Sequence, residues 1–87
     1  MSRINKFTGK LNVVGEQVKK YRLEQSLSYI DITKKLELLG IYMSRQKLYE
    51  IEKNRKTVKD FELYGLARVL NVSVDSLLQD IINQLKD

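Results

Sequence analysis

From Val14 to Leu85 the apolar residues of this chain recur at steps of three and four, and no stretch shows the strict alternation of a strand. Such steps line up one side of a helix, because successive residues turn by about 100° around its axis. The sequence contains no proline, so nothing forces a helix to break in its interior. An all-α fold follows, and what remains to be read is where each helix begins and which side it buries.

Capping residues mark the beginnings. Asn12 is placed to cap a first helix running to about Gln25, with Val14, Val18 and Tyr21 facing inward. Gly15 in its first turn costs about 1 kcal/mol relative to alanine. Ser28, followed three residues on by Asp31, forms a capping pattern. It opens a second helix with the stripe Ile32, Leu36 and Leu39, ended at Gly40 by a left-handed residue. Ile41-Tyr42-Met43 make the turn, with Ile41 or Met43 filling the gap between helices. Ser44 caps a third helix that stops near Asn54, a residue that tolerates the left-handed conformation. A fourth, central helix spans roughly Lys59 to Leu70, with Phe61, Leu63, Tyr64, Leu66, Ala67 and Leu70 as its apolar content. Ser73 caps a fifth, in which Leu77, Ile81 and Leu85 form one row and Leu78 and Ile82 another. Residues 1–11 show no helical period and read as a loosely packed arm.

Eighty-seven residues make one domain with one small core. The absence of cysteine and histidine excludes disulfides, thiolate or imidazole metal sites, and catalysis by either side chain. The acids at Glu16, Glu24, Asp31, Glu37, Glu50 and Glu52 do not converge into a general acid–base pair, so neither an enzyme nor a cofactor nor a metal site is expected. No apolar run approaches the roughly 18 residues of a membrane span, and the N-terminus has no hydrophobic signal region. A cytoplasmic protein without a membrane partner is the expectation. Sixteen Lys plus Arg against eleven Asp plus Glu leave a formal charge of +5, which favours an anionic partner such as nucleic acid. Residues 1–15 carry Arg3, Lys6 and Lys10 and no acid, and Lys53, Arg55, Lys56 and Lys59 cluster just past the third helix.

That third helix carries the chemistry. Leu48 and Ile51 lie one turn apart on a single apolar side, while Gln46, Tyr49, Glu50 and Lys53 point away and Arg45 and Lys47 flank the start. A helix that buries a narrow stripe and displays Arg, Gln and Tyr has the make-up of one that reads a DNA groove; an ordinary solvated face is the plainer alternative.

Taken together, Leu27-Ser28, Ile32-Thr33-x-x-Leu36, Ser44-Arg45-x-x-Leu48-x-x-Ile51-Glu52, Leu66-Ala67-x-x-Leu70 and Asn71-Val72-Ser73-Val74-Asp75-x-Leu77-Leu78 resemble the Cro and phage-repressor-like helix-turn-helix proteins, the XRE group. The resemblance covers Val14 through Leu78, and the chain departs from it in three places. Seven residues separate Leu36 from Ser44 where the family usually has two, which resembles a subset with a lengthened second helix. Tyr29 stands where many relatives have a glutamine that touches the DNA backbone, and Thr33 replaces an alanine where helices two and three cross.

The resemblance implies a five-helix lambda-repressor-like domain over residues 12–79, with the helix-turn-helix formed by helices two and three, an arm at 1–11 and an extension of helix five at 80–87. It implies a cytoplasmic, sequence-specific regulator of transcription, a repressor, bound to double-stranded DNA. Base reading falls to Arg45, Gln46, Tyr49 and Glu50, since Arg clamps guanine, Gln clamps adenine and Glu accepts from cytosine. Phosphate contacts fall to Tyr29, Ser44, Lys47, Lys53, Arg55 and Lys56. Arg22 and Glu52 are implied as a structural ion pair. A single such helix buries little surface, so a homodimer on a palindromic operator is expected, its contact made by Leu78, Ile81, Ile82 and Leu85 of the fifth helix. No small-molecule ligand and no sensor domain are indicated. The alternative is a protein-interaction module, an antitoxin or anti-repressor, suggested by the apolar C-terminal stripe and the unusual second helix.

Overall fold

A computed structural model describes residues 7–86 of the chain. Its helices are α1 (Gly15–Glu24), α2 (Tyr29–Leu38), α3 (Arg45–Glu52), α4 (Asp60–Leu70), α5 (Val74–Leu77) and α6 (Gln79–Leu85), and no strand occurs among the described residues.

The serine caps act where the spacing puts them. Ser28 Oγ accepts from the Asp31 N–H at 3.0 Å while the Asp31 carboxylate accepts from the Ser28 N–H at 2.9 Å, so two orphan donors at the start of α2 are satisfied reciprocally. Ser44 Oγ accepts from the Lys47 N–H and Ser73 Oγ from the Ser76 N–H, each at 3.0 Å. Asn12 works from two residues further out than expected, since Val14 holds the N-cap position. Its Oδ1 accepts from the N–H groups of Val14 and Gly15, and α1 begins only at Gly15. The second helix stops at Leu38, two residues short of Gly40, which turns the chain with φ +82°. Asn54, at φ 62°, takes the left-handed position after α3.

Val18, Ile32, Leu36, Leu48, Ile51, Leu66, Leu70 and Leu77 are wholly buried and make one core shared by α1 to α5. Met43 is the buried plug between α2 and α3, while Ile41 is only half-buried. Three expectations about side-chain placement are corrected. Leu39 lies largely outside, because α2 ends before it. Phe61 and Tyr64 face outward from α4, where Glu62 takes the buried place at that end. The expected fifth helix is two: Leu78 both closes α5 and precedes α6. Leu77 is fully buried and its neighbour Leu78 also packs on the core, and the shift at Leu78 lets these successive side chains share one interior. Among the described residues six helices therefore stand where five were expected.

Of the expected arm, residues 1–6 lie outside the described residues. The remainder is anchored at two points: the Phe7 side chain is buried, and the Leu11 N–H donates to the Asn54 carbonyl at 2.9 Å, while Thr8, Gly9 and the Leu11 side chain are exposed. The Asn12 side chain continues this clasp, donating from Nδ2 to the carbonyls of Ile51 and Lys56 and accepting from Asn54 Nδ2. The chain ahead of α1 is thus tied to the last turn of α3.

The clasp inverts the expected cost of Gly15. A Cβ at that position would stand 2.2 Å from the Ile51 carbonyl oxygen and 2.9 Å from Asn54 Nδ2. Glycine here allows two backbones to touch, and this outweighs the helix propensity that alanine would add. Gly15→Ala is expected to destabilise the fold by about 1–3 kcal/mol, seen as a lower midpoint of urea unfolding; an unchanged or raised midpoint would show that the close approach is not needed.

Candidate nucleic-acid interface

Leu48 and Ile51 anchor α3 to the core, and their burial decides which of its polar side chains can be displayed. What sets the helix's orientation is a polar network at its far end. Arg22 of α1 donates from Nε to Glu52 Oε2 at 2.7 Å and from Nη2 to Glu52 Oε1 at 3.1 Å. The Tyr29 hydroxyl, from the first residue of α2, donates to the same Oε1 at 2.9 Å, and the guanidinium lies 4.2 Å from the Tyr29 ring centre. Three helices meet at one carboxylate whose side chain is 2% exposed. The hydrogen bond to Glu52 raises the Arg22 pKa, and burial followed by the hydrogen bond to Glu52 raises that of Tyr29.

Along the outward side, Arg45 and Gln46 are exposed and Tyr49 is 37% exposed. The Tyr49 ring is fixed from two directions: the Tyr29 ring meets it edge-on at 6.2 Å, and Lys53 Nζ lies 5.6 Å from its centre. Glu50 is half-buried and pairs with Arg55 at 3.6 Å, across the turn that follows α3. Of the expected base readers, then, Arg45, Gln46 and Tyr49 share one open surface, and Glu50 is turned toward a neighbour.

The expected phosphate set divides in the same way. Lys53, Arg55 and Lys56 are exposed together past the end of α3, on a loop that Asn12 holds through the Lys56 carbonyl. The Tyr29 proton is engaged by Glu52, and Ser44 Oγ caps α3. Lys47 turns back to α4, where its Nζ lies 2.6 Å from Glu62 Oε2. The other Glu62 oxygen accepts from the Lys59 N–H, so this carboxylate closes the start of α4 and braces α3 at once. Burial pushes the Glu62 pKa up, but the bonds from Lys47 and the Lys59 N–H outweigh it and the net shift is downward.

Between the starts of α2 and α3 lies an open groove of about 790 Å³, lined by Ile30, Thr33, Lys34 and Tyr42 as well as by Arg45 and Tyr49. Sequence reasoning missed the first four as site residues. Ile30 carried a signal, being an apolar residue off the Ile32 and Leu36 stripe. Tyr42, 82% exposed, carried none, because its direction depends on the path of the turn. At the other end of the molecule, Leu78 and Ile81 are half-buried, whereas Ile82 and Leu85 are 38% and 51% exposed. Of the four expected contact residues, these last two are the exposed ones.

Two outcomes follow from the ion pairs. Arg22→Met leaves the Glu52 carboxylate buried without its counter-charge, at a cost of about 3–5 kcal/mol, measurable by urea unfolding; a loss below about 1 kcal/mol would match an exposed pair instead. Because the Glu62 pKa is lowered in the folded protein, its stabilising contribution is present above the ordinary carboxylate range and is lost as pH falls through the folded value. Stability should decline on acidification below about pH 4.5, and Glu62→Gln should flatten that decline; equal slopes for both proteins would remove Glu62 from the account.

No helix among the described residues is long and apolar enough to cross a membrane. No family model matches the chain, and no curated protein or solved structure matches it either.

Proposed function

We propose that this protein is a sequence-specific double-stranded DNA-binding regulator of the lambda-repressor-like helix-turn-helix type, acting as a repressor, with α2 and α3 as the helix-turn-helix and α3 in the major groove. The observation that carries the reading is α3 itself. Leu48, Ile51 and Glu52 bind its inner side to the core, while Arg45, Gln46 and Tyr49 stand outward on a helix held at both ends, by Glu62 through Lys47 and by Arg22 through Glu52. A helix held in this way loses little backbone freedom when it meets base edges. Lys53, Arg55 and Lys56 follow where a phosphate backbone would run, and they position the protein without selecting sequence.

Two half-sites require two copies. Ile82 and Leu85 supply an exposed apolar pair on α6 for that contact. Occlusion of a promoter by such a dimer represses without further machinery. A second reading, a module that grips another protein, draws on the outward face of α2 and α4, where Leu38 is 87% exposed and Phe61 and Tyr64 are about half exposed.

The two readings separate on one experiment. Duplexes are selected from a random pool at a stated salt concentration, and binding of the winner is compared for the natural protein and for Arg45→Ala and Gln46→Ala. Each substitution should cost about 1–3 kcal/mol, a factor of roughly 5 to 150, on the selected site and much less on random DNA, with the thermal melt unchanged. Equal binding by all three proteins, or no enrichment of any duplex, would favour the protein-partner reading.

A further inference from the structure

We infer that the groove between the starts of α2 and α3 reads the 5-methyl group of a thymine, with Ile30 and Tyr42 as the residues that make this contact. The inference rests on the DNA-binding reading above and adds a chemical feature of the site that is bound. Three of the hydroxyls lining the groove are engaged within the protein: the Tyr29 hydroxyl donates to Glu52, the Thr33 hydroxyl to the Ile30 carbonyl at 3.2 Å, and Ser44 Oγ accepts from the Lys47 N–H. Beside them the lining offers apolar surface, with Ile30 42% and Tyr42 82% exposed and Met43 buried. The rim is cationic, because Lys34 and Arg45 are exposed and neither forms an ion pair among the described residues.

An apolar recess inside a cationic rim fits one feature of a duplex. In the major groove the base edges present donors and acceptors, and the thymine methyl is the apolar group among them. A phosphate satisfies Lys34 while the methyl enters the recess, next to the base that Arg45 or Gln46 reads. The longer connection between α2 and α3 thereby gains a purpose, since it is the segment that carries Tyr42 to the groove edge.

The test removes only the methyl group. In the selected duplex each thymine is replaced in turn by deoxyuridine, and binding is measured for the natural protein, Ile30→Ser and Tyr42→Ser, with thermal melts confirming that all three are folded. For the natural protein one position per half-site should weaken about fourfold, the factor given by burying one methyl-sized group. In the two variants thymine and deoxyuridine should bind alike at that position, while discrimination elsewhere in the site persists. Equal binding of thymine and deoxyuridine everywhere, a selected site without thymine, or discrimination that survives both substitutions would overturn the inference and leave the DNA-binding reading standing. Failure of the natural protein to bind any duplex would overturn both.

Discussion

The arrangement of this protein depends on one buried carboxylate. Glu52 ends α3, and it gathers the Arg22 guanidinium from α1 and the Tyr29 hydroxyl from α2. A pair of this kind adds little net stability, because desolvating both charges offsets their attraction, but it tolerates almost no rearrangement once it is formed. Hydrophobic contacts between Leu48, Ile51 and the core hold α3 down without specifying its rotation to within a few degrees. The two directed bonds from Arg22 do specify it, and with it the direction in which Arg45, Gln46 and Tyr49 project.

The opposite end of α3 is governed by the same logic with a different partner. Glu62 is buried at the start of α4, where it caps that helix and receives Lys47. The ammonium is thereby committed to the interior side, since withdrawing it would leave a buried carboxylate short of its counter-charge. Together the two ion pairs divide the polar residues of α3 into those that hold the helix and those that it displays. The close approach of Gly15 to Ile51 and the Asn12 clasp secure the last turn from a third direction.

Much of this organisation was legible in the residues. The helical period, the serine caps at Ser28, Ser44 and Ser73, and the left-handed positions at Gly40 and Asn54 are local properties, and each acts within a few residues of where it stands. The outward set on α3 was legible for the same reason: once Leu48 and Ile51 are inside, the 100° step leaves Arg45, Gln46 and Tyr49 outside. The roles assigned to Lys47 and Glu50 were not legible, because Glu62 and Arg55 become their partners only through the packing of α4 and the path of the following loop. Phe61 was misread because periodicity alone does not reveal that a charged neighbour will take the buried place.

By itself the sequence determined an all-helical chain, the serine-capped helix starts, its basic balance and the stripe that α3 buries, since all of these follow from propensity, capping and period over short distances. The tertiary structure alone decided that Lys47 and Glu50 are bound to neighbours rather than displayed. It also decided that Gly15 is a contact point rather than a weakness, and that Tyr42 and Ile30 line one groove. These are relations between segments distant in the chain, and their energies exist only when two surfaces meet.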